Sequence, residues 1–241
     1  MLVRQGDARS HVIDRRLAAI LAATAGAVNT AAFQAVGFFA ANMTGNISFA
    51  SDKMAFGQFP AAGLYLLIVA TFIAGAAVCT LLVSLGQRRR MHGIYALTIL
   101  AEAGCMALLS LIDPLLSEGW RGPVLVVGLS FLMGHQNAAA TRISNGRVRT
   151  THVSGMATDI GIGLGLLLDI ARGREPVAEA ASVRARLQLH GLTVLSFLVG
   201  GLVGVLAYRA VGSFMLLGCA GLLVAVALPE AIKAKALVAQ P

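Results

Sequence analysis

Six stretches of this chain are long and apolar enough to cross a bilayer, and nothing else narrows its possible folds as much. They are Leu17–Ala41, Ala61–Gly86, Ile94–Ile112, Pro123–Thr141, Leu187–Tyr208 and Val211–Leu228. A hydrocarbon core of ~30 Å needs about 20 consecutive apolar residues in helical form. Backbone N–H and C=O groups find no water there, so a spanning chain must satisfy them within helices or a closed barrel. Of the 241 residues 57% are hydrophobic and only 12% charged, which fits an all-α polytopic membrane protein. One transmembrane domain is expected over 17–228, with cytoplasmic tails at 1–16 and 229–241. The opening "MLVRQGDARSHVIDRR" is polar and charged, so it reads as a tail and not as a signal peptide.

Two further stretches are ambiguous. Ile47–Phe59 is short and polar for a span, and Val153–Ala171 carries Asp159 and Asp169. Loop charge arbitrates, because basic residues accumulate in cytoplasmic loops. With the N-terminus inside and both stretches re-entrant, sixteen of the nineteen Lys and Arg fall on the cytoplasmic side, leaving Lys53, Arg121 and Arg209 outside. The split drops to twelve against seven if both stretches cross, and to eleven against eight if only the second does. The expectation is six full transmembrane helices plus two re-entrant half helices, both termini facing the cytoplasm of a bacterial inner membrane. The same rule accounts for the net charge of +8 without nucleic acid. Cys79, Cys105 and Cys219 lie inside apolar runs with no CxxC pair, so neither a disulfide nor a metal or other cofactor is expected.

The chain also repeats itself. "AVNTAAF" at 27–33 resembles "HQNAAAT" at 135–141, and "NMTGN" at 42–46 finds a counterpart in "TTHVSGMATD" at 150–159. Each copy runs apolar span, polar Thr/Ser-Gly phrase, ambiguous stretch, then two more spans. Three crossings per half is odd, so the halves, about 17–112 and 123–228, would be inverted with respect to each other. Inverted repeats are a common construction of secondary transporters, whose sites lie near the midplane between halves.

"NMTGN", "GHQNAAATRI" and "TTHVSGMATDIG" resemble the hallmark stretches of the YoaK-type family of bacterial multi-pass membrane proteins, a domain of unknown function. The resemblance covers the chain from about Leu17 to Leu228. The family's first motif more often carries a histidine before Met-Thr-Gly, where this chain has Asn42. The resemblance implies a membrane protein and no particular substrate.

What the motifs can do follows from their chemistry. Gly45 and Gly155 permit a turn or a close backbone approach, and Thr44 and Ser154 can cap the helix that follows. A half helix beginning inside the membrane presents free N–H groups and its positive dipole end to the protein centre. Two such ends would frame a site for a small polar or anionic solute. The candidate binding residues are Asn29, Asn42, Thr44, Gly45, Asn46, Gln136, Asn137, Thr151, Ser154 and Gly155. Gln34 and His135 stand close by in sequence. Glu102, the acid deepest inside a span, is a candidate proton carrier, and Asp159 a candidate ion-coupling group. The expected function is a secondary transporter and not an enzyme. The alternatives are an intramembrane hydrolase using Ser154 with His190, or a passive channel or scaffold. The expected partners are the lipid bilayer and a small-molecule or ion substrate. "GIGLG" at 161–165 and "GGLVG" at 200–204 are small-residue faces for helix packing or a homodimer contact.

Overall fold

The computed structural model describes residues 1–2, 6 and 9–238; Arg4, counted above as cytoplasmic, and residues 239–241 of the C-terminal tail lie outside them. The described residues are helical, without strands, in the order α1 (His11–Val36), α2 (Met43–Ala55), α3 (Phe59–Arg88), α4 (Ile94–Ile112), α5 (Glu118–Ile143), α6 (Val153–Ala171), α7 (Ala180–Val211) and α8 (Met215–Val238). Six segments are long and apolar enough to span, making this a multi-pass membrane protein: α1, α3, α4 with the turn to Leu115, α5, α6, and Val177–Ala236, which holds α7 and α8. α6, ambiguous in sequence, therefore meets the length and composition of a span. α2, with 13 residues, reaches only about 20 Å at the helical rise.

Local chemistry sets several helix ends. Ser10 caps α1 by accepting a hydrogen bond from the Ile13 N–H. Gly37, left-handed at φ 76°, stops that helix as only glycine does without strain. Pro60 opens α3, where its missing N–H costs nothing.

Apolar matter surrounds the helices in lipid, so close van der Waals packing and not hydrophobic transfer draws them together. Glycines provide it here. α1 lies against α7 and α5 against α3. Gly26 faces the Phe197 carbonyl and Gly200 the Ala23 carbonyl, and a methyl group at either position would strike backbone. Gly75 and Gly134 repeat the arrangement against the Phe131 and Phe72 carbonyls. α4 packs on α8, α1 meets α5, α2 rests on α3 and α6 on α7. Among the membrane-length segments α1 and α5 are the most buried and α6 the least. α6 buries only Met156 and Gly163, leaving its leucines outward where lipid would solvate them.

Polar clamps close both ends of the bundle. At one, the buried Asp14 carboxylate takes Arg9 Nε at 2.6 Å and Arg147 Nε at 2.8 Å. Beside it the N-terminal amino group pairs with Glu230, which also accepts the Leu2 N–H at 2.9 Å. At the other end Arg121 grips Asp113 with two hydrogen bonds of 2.8 and 2.9 Å and reaches the Tyr208 hydroxyl at 3.3 Å. Asp169 pairs with Arg174 at 3.5 Å.

Candidate functional site

Both polar phrases lie where one helix stops and the next starts. After Gly37 the chain folds back along α1, and the Ala41 N–H donates to Asn29 Oδ1 at 2.8 Å. That bond pins the approach to α2 two turns below the end of α1. Asn42 then caps α2, its Oδ1 accepting the Gly45 N–H at 3.1 Å. A side chain at Gly45 would collide with the Asn42 amide, so the glycine is what lets the cap fold over the helix start.

The second connection uses the same logic with different atoms. α5 ends at Ile143, and the chain turns through Asn145 and Gly146 at φ 53° and 80°. Ser144 Oγ holds the Val148 N–H at 2.9 Å. The Thr150 and Thr151 hydroxyls donate to Asn137 Oδ1 at 3.1 and 3.0 Å, while Asn137 Nδ2 donates to the Met133 carbonyl at 2.8 Å. His152 stands at the cap position of α6, and a side chain at Gly155 would meet its ring.

These connections open on one shared cavity of about 680 Å³, walled by Asn29, Asn42, Thr44 and Gly45 from one side and by Asn137, Thr151, His152 and Ser154 from the other. Phe39, Phe72 and Phe197 supply apolar wall, and Arg149 a guanidinium. A second cavity of about 320 Å³ shares Arg149 and His152 with the first and adds Asp159 and His190, whose Oδ2 and Nδ1 lie 3.8 Å apart. On the α2 side aromatic rings fill the corresponding region: Phe33 stacks on Phe39 at 4.5 Å, and Tyr65 touches Phe38 and Phe49 at 5.0 and 5.3 Å.

Several sequence expectations need correction. Thr44 and Ser154 are not the caps: Asn42 and His152 hold those positions, one residue before each helix. The hydroxyl residues sit second in the helix, facing the cavity. Asn46 is buried and donates Nδ2 to the Phe39 carbonyl at 3.1 Å, so it braces the connection instead of lining the cavity. Gln136 and Gly155 are not on the cavity wall. Gln136 belongs to a separate buried cluster with Glu102 and His135, where His135 Nδ1 stands 4.0 Å from Glu102 Oε2. Asp159 is exposed and borders the second cavity. Ser154 and His190 border different cavities, and His190 Nδ1 has no hydrogen-bond partner.

Sequence reasoning missed Phe39, Phe72, Phe197 and Arg149. The aromatics had one usable signal: Phe72 and Phe197 each precede by three residues a glycine at which helices cross, Gly75 and Gly200.

Asn29→Leu is expected to destabilise the protein by about 1–3 kcal/mol, because it strands the buried Ala41 N–H without an acceptor. Asn137→Leu should cost less, since two threonine hydroxyls can rotate to other acceptors. Thermal unfolding in detergent, compared between the two variants, checks the order.

A family model described as protein of unknown function (DUF1275) matches residues 17–228. No curated protein and no solved structure matches the chain. The matched range takes in both connections and every residue of the cavity wall, and the chain belongs to the DUF1275 family, as its YoaK-type motifs imply.

Proposed function

We propose that this protein is a secondary transporter of a small polar or anionic solute in the bacterial inner membrane, with the shared cavity as its binding site. The observation that carries the reading is that both helix breaks open on one cavity, so the N-termini of α2 and α6 address the same space. Each brings unpaired N–H groups and a positive dipole end, a favourable setting for negative charge or for carbonyl oxygen.

The halves are read as an inverted three-plus-three repeat, with α2 and, although it is long enough to span, α6 as re-entrant helices from opposite faces. The packing supports this reading: exchanging α1 with α5, α2 with α6, α3 with α7 and α4 with α8 turns each principal helix contact into another or into itself. The glycine crossings obey the same exchange, Gly26 with Gly134 and Gly75 with Gly200. Both termini then face the cytoplasm, as loop charge requires.

Glu102 is assigned the coupling role. Its carboxylate is fully buried, with Gln136 and, at 4.0 Å, His135 as its polar neighbours. A buried acid so placed is a functional candidate by its cost. A channel is the second reading, favoured by the neighbouring cavity around Asp159 and His190.

Uptake into proteoliposomes, over a panel of organic acids, nucleobases and inorganic anions, tests the proposal. Saturable uptake is expected, reduced at least about tenfold by Thr44→Val and Ser154→Ala; a loss of ~1.4 kcal/mol in binding suffices for that. Glu102→Gln should retain binding and lose the response to an imposed pH gradient. If no solute binds or moves and the Thr44 and Ser154 variants are silent in cells, the proposal fails. Electrical recording of single-channel steps would favour the second reading.

A further inference from the structure

The two connections are built alike, but the side chains they present to the cavity are not. Phe39 and Arg149 each stand three residues before the helix cap, and both line the cavity. Phe33 and Thr141 likewise each stand four residues after the asparagine that holds the connection. On the α2 side the pair is two stacked rings at 4.5 Å, with Phe39 facing the cavity and Phe33 behind it. On the α6 side the pair is a hydroxyl and a guanidinium. The site is therefore polarised along the line joining its two halves.

Arg149 is the one Lys or Arg on the cavity wall among the described residues. No carboxylate among the described residues lies within ion-pairing distance of it. The nearest acid around the adjoining cavity, Asp159, faces His190 at 3.8 Å. A guanidinium at the edge of a water-accessible hollow matches a carboxylate in a planar, two-bond fashion. The rest of the wall offers rings: Phe39, Phe72 and Phe197. An inorganic anion would leave those rings facing nothing, and a doubly charged ligand would bring a second charge without a second Lys or Arg. The volume of about 680 Å³ falls within the span of ordinary small-molecule sites.

We infer that the solute is a monoanionic organic acid with a flat apolar body, its carboxylate held by Arg149 and its ring lodged among Phe39, Phe72 and Phe197. The inference rests on the cavity being the solute site of a carrier, and it names the class of that solute. It also fixes an orientation, the charge toward the approach to α6 and the ring away from it, against Phe39.

Radiolabelled benzoate is a suitable probe, bound to the purified full-length protein and competed with unlabelled benzoate, benzamide, acetate and sulfate. Benzamide keeps the ring without the charge, and acetate the charge without the ring. Both are expected to compete at least tenfold more weakly than benzoate. Arg149→Ala should weaken benzoate at least tenfold and erase its preference over benzamide, while Arg149→Lys should keep part of that preference. Phe39→Ala should weaken benzoate and leave acetate unchanged. Arg149 is exposed, so an unaltered unfolding midpoint is expected for its variants. Equal competition by benzamide, or by sulfate, overturns the inference, as does the absence of benzoate binding at millimolar concentration. In those cases a saturable, Thr44-dependent uptake of some other solute would leave the carrier reading standing.

Discussion

Gly134→Ala and Gly26→Ala are each expected to lower the unfolding midpoint of the detergent-purified protein by roughly 2–12 °C. The added methyl group points at the Phe72 carbonyl in one case and the Phe197 carbonyl in the other. Backbone cannot step aside as a flexible side chain can, so two helices must separate along their contact. Overpacking of this kind costs about 1–3 kcal/mol, and a domain of this size loses about 2–4 °C per kcal/mol. Gly104→Ala is the control. Nothing lies within 4 Å of a methyl built there, so the midpoint should stay or rise slightly through better helix propensity. If all three variants unfold alike, close helix approach is not what the glycines provide.

Asp14→Ala is expected to destabilise the protein by up to about 3–5 kcal/mol, the usual cost of removing one member of a buried ion pair. The Arg9 side chain that Asp14 neutralises is wholly shielded from solvent. Asp14→Asn keeps an acceptor for Arg9 and should lose less. There is a second consequence, since Asp14 also holds Arg147 at 2.8 Å. Arg147 lies on the connection that carries Arg149, Thr151 and His152 to the cavity. Amide hydrogen exchange over 144–151 should therefore quicken in Asp14→Asn even if the midpoint falls little. Exchange confined to the N-terminal segment would show that the clamp serves only the tail.

Much of the helix layout was legible. Ile94–Ile112 and Val153–Ala171 are helices with the expected bounds, because Gly93, the Asp113-Pro114 pair, the polar run ending in His152, and Arg172 mark their ends. Leu17–Ala41 was misplaced: the helix begins at His11 and stops at Val36. Hydropathy ignores a charged first turn that Ser10 caps, and it runs on through apolar residues that Gly37 has already turned aside. The short helix was expected from Ile47 and starts at Met43, since the polar phrase was taken as the break when it is mostly the helix start.

The site was legible to the extent that polar side chains in lipid demand a reason. Asn29 and Asn137 each hold one of the two connections by hydrogen bonds. Asn46 and Gln136 looked equally suited, and only the fold shows where an amide points. The rings and Arg149 escaped notice for opposite reasons. A phenylalanine in an apolar run carries no information about its face, and an arginine after a span reads as loop charge.

The glycine crossings have one more consequence. Each joins a helix of the first half to a helix of the second, α1 with α7 and α3 with α5. A polypeptide severed between α4 and α5 would leave both fragments with notched helices and no mate to seat in the notch. Neither fragment is then a folding unit on its own, and each could seat its notched helices only on the other.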